Sequence, residues 1–111
     1  MSLVQLIEWD GEEYSIKYSF ALVQRLKAKG IHVGRIFSQI QADPNGAGAY
    51  LDDYAATVYE CLRESGAPVK QDVLWRECLG NPEFAAACAQ LFMWLVSQHY
   101  AASPNAPSSK N

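Results

Sequence analysis

The sequence predicts a mainly α-helical domain of about five helices, with a β-hairpin before them and a disordered tail after them. Three observations predict this class. An Asp-Gly turn separates two strand-like segments near the N-terminus, and apolar residues recur at helical spacing from Phe20 to Tyr100. The last residues are mostly Ser, Pro, Asn and Ala. The chain has 111 residues, enough for a modest core. We therefore expect a single domain over residues 1–101 and a disordered tail over residues 102–111.

A β-hairpin is expected over residues 3–18. Leu3–Trp9 has the composition of a strand, and Glu13–Tyr18 alternates polar and apolar residues. Asp10-Gly11 between them is the strongest two-residue signal for a hairpin turn. One face of the second strand should be apolar: Tyr14, Ile16 and Tyr18. Because an isolated hairpin is marginal in water, this one must pack on the helices or pair with a strand from elsewhere.

Four helices should separate the hairpin from the last helix. Each repeats apolar residues every three or four positions, and Ser19 can cap the first. Residues 43–48, between the second and the third, are rich in Gly, Pro and Asn and should form a flexible loop. The expected bounds are Phe20–Ala28, Ile31–Ala42, Ala49–Ser65 and Pro68–Leu79.

The last helix should run from Asn81 to Tyr100 and is apolar on every side. Asn81 can cap it, and Pro82 suits the first helical position. Within Phe84–Val96 only Gln90 is polar, whereas a surface helix has one polar face. The segment is too short to cross a bilayer, which takes about 20 apolar residues. We expect a central core helix whose outer face is also covered by another chain.

Composition and charge argue against several classes of partner. The net charge is −3 at pH 7, and no stretch of the chain is rich in Lys or Arg. Nucleic-acid binding needs clustered cations, so neither DNA nor RNA is expected as a partner. No membrane association is expected. The N-terminal residues lack the features of a signal peptide, so we expect a cytoplasmic protein.

The three cysteines, Cys61, Cys78 and Cys88, all fall within predicted helices, and none belongs to a Cys-x-x-Cys pair. Their odd number leaves one unpaired in any disulfide scheme. We interpret them as small buried hydrophobic residues in a reducing cytosol.

No catalytic, cofactor-binding or metal-binding site is predicted. Asp52 and Asp53 are adjacent on a helix, where side chains point about 100° apart, so the helix dipole explains them better than catalysis does. His32 and His99 have no further ligand at metal-binding spacing and are expected at the surface. The sequence contains neither a phosphate-binding loop nor a nucleophile motif. We therefore expect a protein without enzymatic activity and without a cofactor.

Aromatic and large apolar residues are the best candidates for contacts with another protein. Aromatic side chains stabilise cores, but they are also the usual anchors of interfaces. Since the last helix has more apolar surface than so small a domain can cover, we predict that it offers a lateral contact surface. The predicted partner-contact residues are Trp75, Phe84, Leu91, Phe92, Trp94 and Leu95.

Several segments together resemble a known family. Asp-Gly-Glu-Glu-Tyr-x-Ile-x-Tyr-Ser-Phe (residues 10–20) leads into a helix that ends in Lys-Ala-Lys-Gly-Ile (27–31). A helix and a Gly-rich loop come next, then Leu-Asp-Asp-Tyr-Ala-Ala-Thr-Val-Tyr-Glu-Cys-Leu-Arg-Glu-Ser-Gly (51–66) and Val-Lys-Gln-Asp-Val-Leu-Trp (69–75). In element order and apolar pattern, residues 7–98 are similar to the tail assembly chaperones of long-tailed bacteriophages and prophages.

The resemblance implies a function without catalysis. Chaperones of this family coat the aggregation-prone tape measure protein, keep it soluble and extended, help to recruit tail tube subunits, and are absent from the finished virion. For this chain the resemblance implies binding to the tape measure protein and the tail tube protein, self-association, and a location in the cytoplasm of the bacterial host. Because the family has no fixed motif, the resemblance implies no site residues.

Two other functions are compatible with the sequence. The fourth and fifth helices, joined through Gly80-Asn81-Pro82, could form the helix-turn-helix of a small transcription regulator. Phe-Ala-Ala-Ala-Cys-Ala (84–89) then stands where base-reading polar residues are needed. The chain could also be a prophage-encoded protein–protein interaction module, or part of a toxin–antitoxin pair, with a different partner.

Overall fold

The computed structural model describes residues 3–43 and 51–102. In these two ranges an antiparallel hairpin precedes five helices, which confirms the predicted mainly α-helical class. The predicted loop over 43–48, apart from residue 43, and the predicted tail over 102–111, apart from residue 102, lie outside the described residues. The elements are β1 (Val4–Trp9), β2 (Glu12–Lys17), α1 (Phe20–Ala28), α2 (Val33–Ala42), α3 (Leu51–Glu64), α4 (Gln71–Gly80) and α5 (Pro82–Ala102).

The hairpin forms at the predicted turn and packs on the protein's own helices. Asp10 and Gly11 have φ angles of 51° and 81°, the left-handed values that a tight two-residue hairpin turn requires. The strands are in register with Trp9 opposite Glu12. Strand β1 packs against α5, and β2 packs against α3. The apolar side chains on the inward face are buried in the core: Ile7, Trp9 and Ile16.

Two of the helices have a side-chain cap at the N-terminus, at the residues that the sequence predicts. The backbone N–H of Leu22 donates to Ser19 Oγ at 3.2 Å, which confirms the cap of α1. At the start of α5, Asn81 Oδ1 accepts from the N–H groups of Glu83 and Phe84 at 3.1 and 3.3 Å. These oxygens satisfy N–H groups that have no partner within their own helix.

The start of α4 is the largest error in the predicted bounds. The sequence predicts a start at Pro68, whereas α4 begins at Gln71. Before it, the N–H of Val69 donates to the carbonyl of Ala67 at 2.9 Å, and both residues are buried. The chain therefore makes a tight turn that brings two apolar side chains into the core before the helix begins. The other described helix ends agree with the prediction to within two residues.

Helix α5 contributes more buried apolar residues to the core than any other element, as expected of a core helix. It packs against α2, α3, α4 and β1, whereas α1 packs against α3. Within the described residues, no helix combines the length and apolar character that a membrane span requires, α5 included. The fully buried large side chains come from β2 and from every helix except α2: Ile16, Leu22, Val58, Leu62, Leu74, Leu91, Phe92 and Leu95.

Candidate interaction surface

The structure places five of the six predicted partner-contact residues in the protein's own core. Trp75 is the exception, with 40% of its surface exposed. The buried five are Phe84, Leu91, Phe92, Trp94 and Leu95. These five residues are therefore core residues and not exposed contacts, contrary to the prediction. The reason is that α2, α3, α4 and the hairpin together cover the side of α5 that carries them.

The buried aromatic rings of α5 find partner rings within the same chain. Aromatic pairs of this kind contribute about 0.5–1.5 kcal/mol each beyond the area that they bury. The rings of α5 therefore stabilise the fold in which they lie. The pairs, with their centroid distances, are Phe92–Tyr54 at 4.9 Å, Phe84–Trp9 at 5.3 Å and Trp94–Tyr18 at 6.3 Å.

One face of α5 is exposed along most of the helix. Ala86, Gln90 and Met93 follow one another at intervals of four and three residues, so they lie on one side of the helix. Ala89 and Tyr100 fall on the same side, and we call these five exposed residues the α5 stripe. None of them is charged, and Met93 is 48% exposed. At 1.5 Å per residue the stripe is about 21 Å long.

A cleft of about 630 Å³ lies where the hairpin turn, α4 and the start of α5 meet. Trp9 and Phe84 give it an aromatic lining. Because carboxylates outnumber cations in its wall, the cleft repels polyanions such as a nucleic-acid backbone. Its charged lining consists of Glu8, Asp10, Glu77 and Glu83, with Lys70 as the single cation.

The two histidines are exposed, as predicted, and both line a second cleft. This cleft, of about 390 Å³, lies between α1, α2 and the end of α5, and Lys27 lines it beside His32 and His99. Gly34 allows α2 to approach α5 closely, because a Cβ at this position would lie 3.0 Å from Nε2 of His99. Across the described ranges, no group of three or more His, Cys, Asp or Glu residues is placed to hold a metal ion.

The adjacent residues Asp52 and Asp53 take part in separate contacts. Trp75 Nε1 donates to Oδ1 of Asp52 at 2.7 Å and so joins α4 to α3. Thr57 Oγ1 donates to the backbone carbonyl of Asp53, also at 2.7 Å. Sequence reasoning missed the bond to Trp75, because its partner lies 23 positions away in the chain and no local pattern signals it.

All three cysteines are free thiols and are buried, which confirms their interpretation as small core residues. Burial raises the pKa of the Cys61 thiol to about 12, and the neighbouring Glu60 carboxylate adds to the shift. Burial also raises the pKa of the thiols of Cys78 and Cys88. The sulfur atoms of these last two lie 3.7 Å apart, a proximity that their spacing in the sequence did not predict.

Stability should fall at alkaline pH, and Cys61 should account for part of the fall. Its pKa rises on folding from the usual 9.0 to about 12. Between these values the folded protein keeps a proton that the unfolded chain loses, so this contribution is complete below pH 9 and is lost as the pH rises. Urea unfolding at pH 8 and pH 10 measures the fall, which should be smaller by about 1.4 kcal/mol in Cys61→Ala. An equal fall in both proteins would contradict the assignment.

The α5 stripe, the two clefts and the exposed Trp75 are thus among the surfaces that a partner can reach. In comparisons with known proteins, no family model, curated protein sequence or solved structure matches the chain significantly. The function is therefore inferred from these surfaces and from the resemblance in element order.

Proposed function

We propose that the chain is a non-enzymatic assembly chaperone that binds a long helical partner along the α5 stripe. The observation that carries the proposal is the uncharged face of α5, which is exposed over about 21 Å. An exposed helix face normally carries polar and charged side chains. An exposed helix face without charged residues is typical of an interaction site, and a partner helix can lay its own apolar face along it.

The partner that we infer is the tape measure protein of a bacteriophage tail. The order of hairpin and helices over residues 7–98, which resembles that of tail assembly chaperones, supports this choice. In this role the chain acts in the cytoplasm of the bacterial host, associates with further copies of itself, and keeps the tape measure protein soluble. It then helps to recruit the tail tube protein and is absent from the mature virion. The role needs neither a cofactor, a nucleic acid nor a membrane.

A helix-turn-helix regulator fits the described surfaces less well. Such a protein would insert the N-terminal part of α5 into a major groove of DNA. Phe84 and Cys88 of this segment are instead buried in the core, and the adjoining cleft is lined by four carboxylates that repel phosphate. A DNA shift assay at low salt separates the two functions, because the chaperone should cause no retardation.

Co-expression with the tape measure protein of the same phage or prophage tests the proposal. The wild-type chain should raise the soluble fraction of this partner. Met93→Glu should weaken binding at least tenfold, about 1.4 kcal/mol, because the new carboxylate would be buried against an apolar surface. Copurification at a series of concentrations measures the affinity.

A matched control separates the α5 stripe from a general effect of charge. Gln24→Glu adds the same charge at an exposed position of α1, a helix that packs against α3 and contributes no residue to the stripe. This variant should bind as the wild type does, and circular dichroism should show that both variants are folded. A partner that stays insoluble beside the wild-type chain would overturn the proposal.

A further inference from the structure

We propose that Cys78 and Cys88 are a redox-sensitive pair that can form a disulfide and so fasten α4 to α5. Their sulfur atoms lie 3.7 Å apart, and both side chains are buried between the two helices. A disulfide has an S–S distance of about 2.05 Å. The sulfur atoms must therefore approach each other by less than about 2 Å for the bond to form.

The connection between the helices keeps the two thiols together. Helix α4 ends at Gly80 and α5 begins at Pro82, so that Asn81 alone joins them. Asn81 is held on both sides, since its backbone N–H donates to the carbonyl of Glu77 and its side chain caps α5. The short, fixed junction makes the sulfur contact a lasting feature of the packed α4–α5 pair.

The oxidant that we infer is a small-molecule disulfide such as oxidised glutathione. The Cys78 thiolate attacks one sulfur of this disulfide, forms a mixed disulfide and releases one glutathione thiolate. The Cys88 thiolate then attacks the Cys78 sulfur and releases the second. Two protein thiols lose two electrons and become one disulfide, while one glutathione disulfide gains two electrons and becomes two thiols. The two protons lost by the protein thiols pass to the two released glutathione thiolates, which become thiols.

Opening of α4 should limit the rate of this reaction. Burial raises the pKa of both thiols, so little thiolate is present in the packed state. Of the ten residues of α4, only Leu74 and Cys78 are buried, and its N-cap has no side-chain hydrogen bond. A helix with so few buried side chains opens locally at low cost. Once formed, the disulfide would also fix two walls of the 630 Å³ cleft, because α4 and α5 both line it.

Peptide mapping of the folded wild-type protein tests the pair. The protein is incubated with oxidised glutathione, alkylated, and digested in denaturant with a glutamate-specific protease. Cleavage after Glu77 and Glu83 places Cys78 in residues 78–83 and Cys88 in residues 84–111. We expect these two peptides to remain joined until a reductant is added. The melting temperature of the oxidised protein should rise by on the order of 10 °C, because the cross-link restricts the unfolded chain.

Two variants complete the test. Cys61→Ala keeps both members of the pair and should give the same joined peptides and the same rise in melting temperature. Cys78→Ser should give neither. Separate, alkylated peptides from oxidised wild-type protein would overturn the proposal, and so would a cross-link that contains Cys61. The wild-type map alone decides the matter if a variant fails to fold.

Discussion

Replacing Phe92 with alanine should lower the free energy of unfolding by about 3–5 kcal/mol. Phe92 is completely buried on α5 and packs edge-on against Tyr54 of α3, with 4.9 Å between ring centroids. Truncation removes this buried area and leaves a cavity that the neighbours fill only in part. Since domains are stable by about 5–15 kcal/mol in total, this loss is a large fraction of the total free energy of unfolding. Urea unfolding followed by circular dichroism measures the loss if the m-value is unchanged.

The adjacent residue of the same helix supplies the control. Met93 belongs to the α5 stripe and is 48% exposed, so Met93→Ala should change stability by less than about 1 kcal/mol. The proposed function predicts the opposite order for binding, since Met93 contacts the partner and Phe92 does not. If the two substitutions had equal and small effects on stability, Phe92 would not be a core residue, and the side of α5 that carries it would be open to a partner.

Local signals made much of the fold predictable from the sequence. The Asp10-Gly11 turn, the Ser19 cap and the Asn81 cap each depend on residues within about three positions of one another. The structure confirms all three. The predicted start of α4 was wrong for a related reason. Pro68 is a good local signal for a helix start, but the burial of Val69 outweighs this signal.

The orientation of α5 could not be predicted from the sequence. A helix with a polar face shows which side is exposed, because the polar side chains remain in water. In α5 the exposed face is formed largely by Ala86, Ala89 and Met93, which are as apolar as many of its buried residues. Choosing contacts by aromatic character therefore selected the core-facing side and missed the α5 stripe.

Contacts between residues that are far apart in the chain could also not be predicted from the sequence. Arg25 of α1 and Glu60 of α3 are 35 positions apart, yet Arg25 Nε donates to Glu60 Oε1 at 2.8 Å. Arg25 Nη1 also donates to Glu64 Oε1 at 2.9 Å. Hydrogen bonding to Glu60, and then to Glu64, raises the pKa of the Arg25 guanidinium. These ion pairs join α1 to α3. In the sequence the three residues appear only as scattered charges.

Arg25→Met should therefore lower the free energy of unfolding by about 2–3 kcal/mol. The Glu60 side chain is only 7% exposed, and a buried carboxylate that loses its cation keeps the full cost of its desolvation. The loss should be smaller than for a fully buried pair, because Arg25 itself is 33% exposed and solvent screens part of the attraction. Urea unfolding at neutral pH measures it. Arg76→Met is the matched control, since its pair with Asp72 is 69% and 74% exposed and should contribute less than about 0.5 kcal/mol.

A double variant separates the cost of an unpaired charge from the loss of the ion pair. Glu60→Met in the Arg25→Met background removes the stranded carboxylate and replaces the ion pair with two apolar side chains. Buried ion pairs replaced in this way often leave stability unchanged, so the double variant should recover at least about half of the loss. If the double variant is instead less stable than Arg25→Met alone, the Glu60 side chain stabilises the fold even without Arg25. The cost of the single substitution would then reflect lost attraction and not desolvation of Glu60.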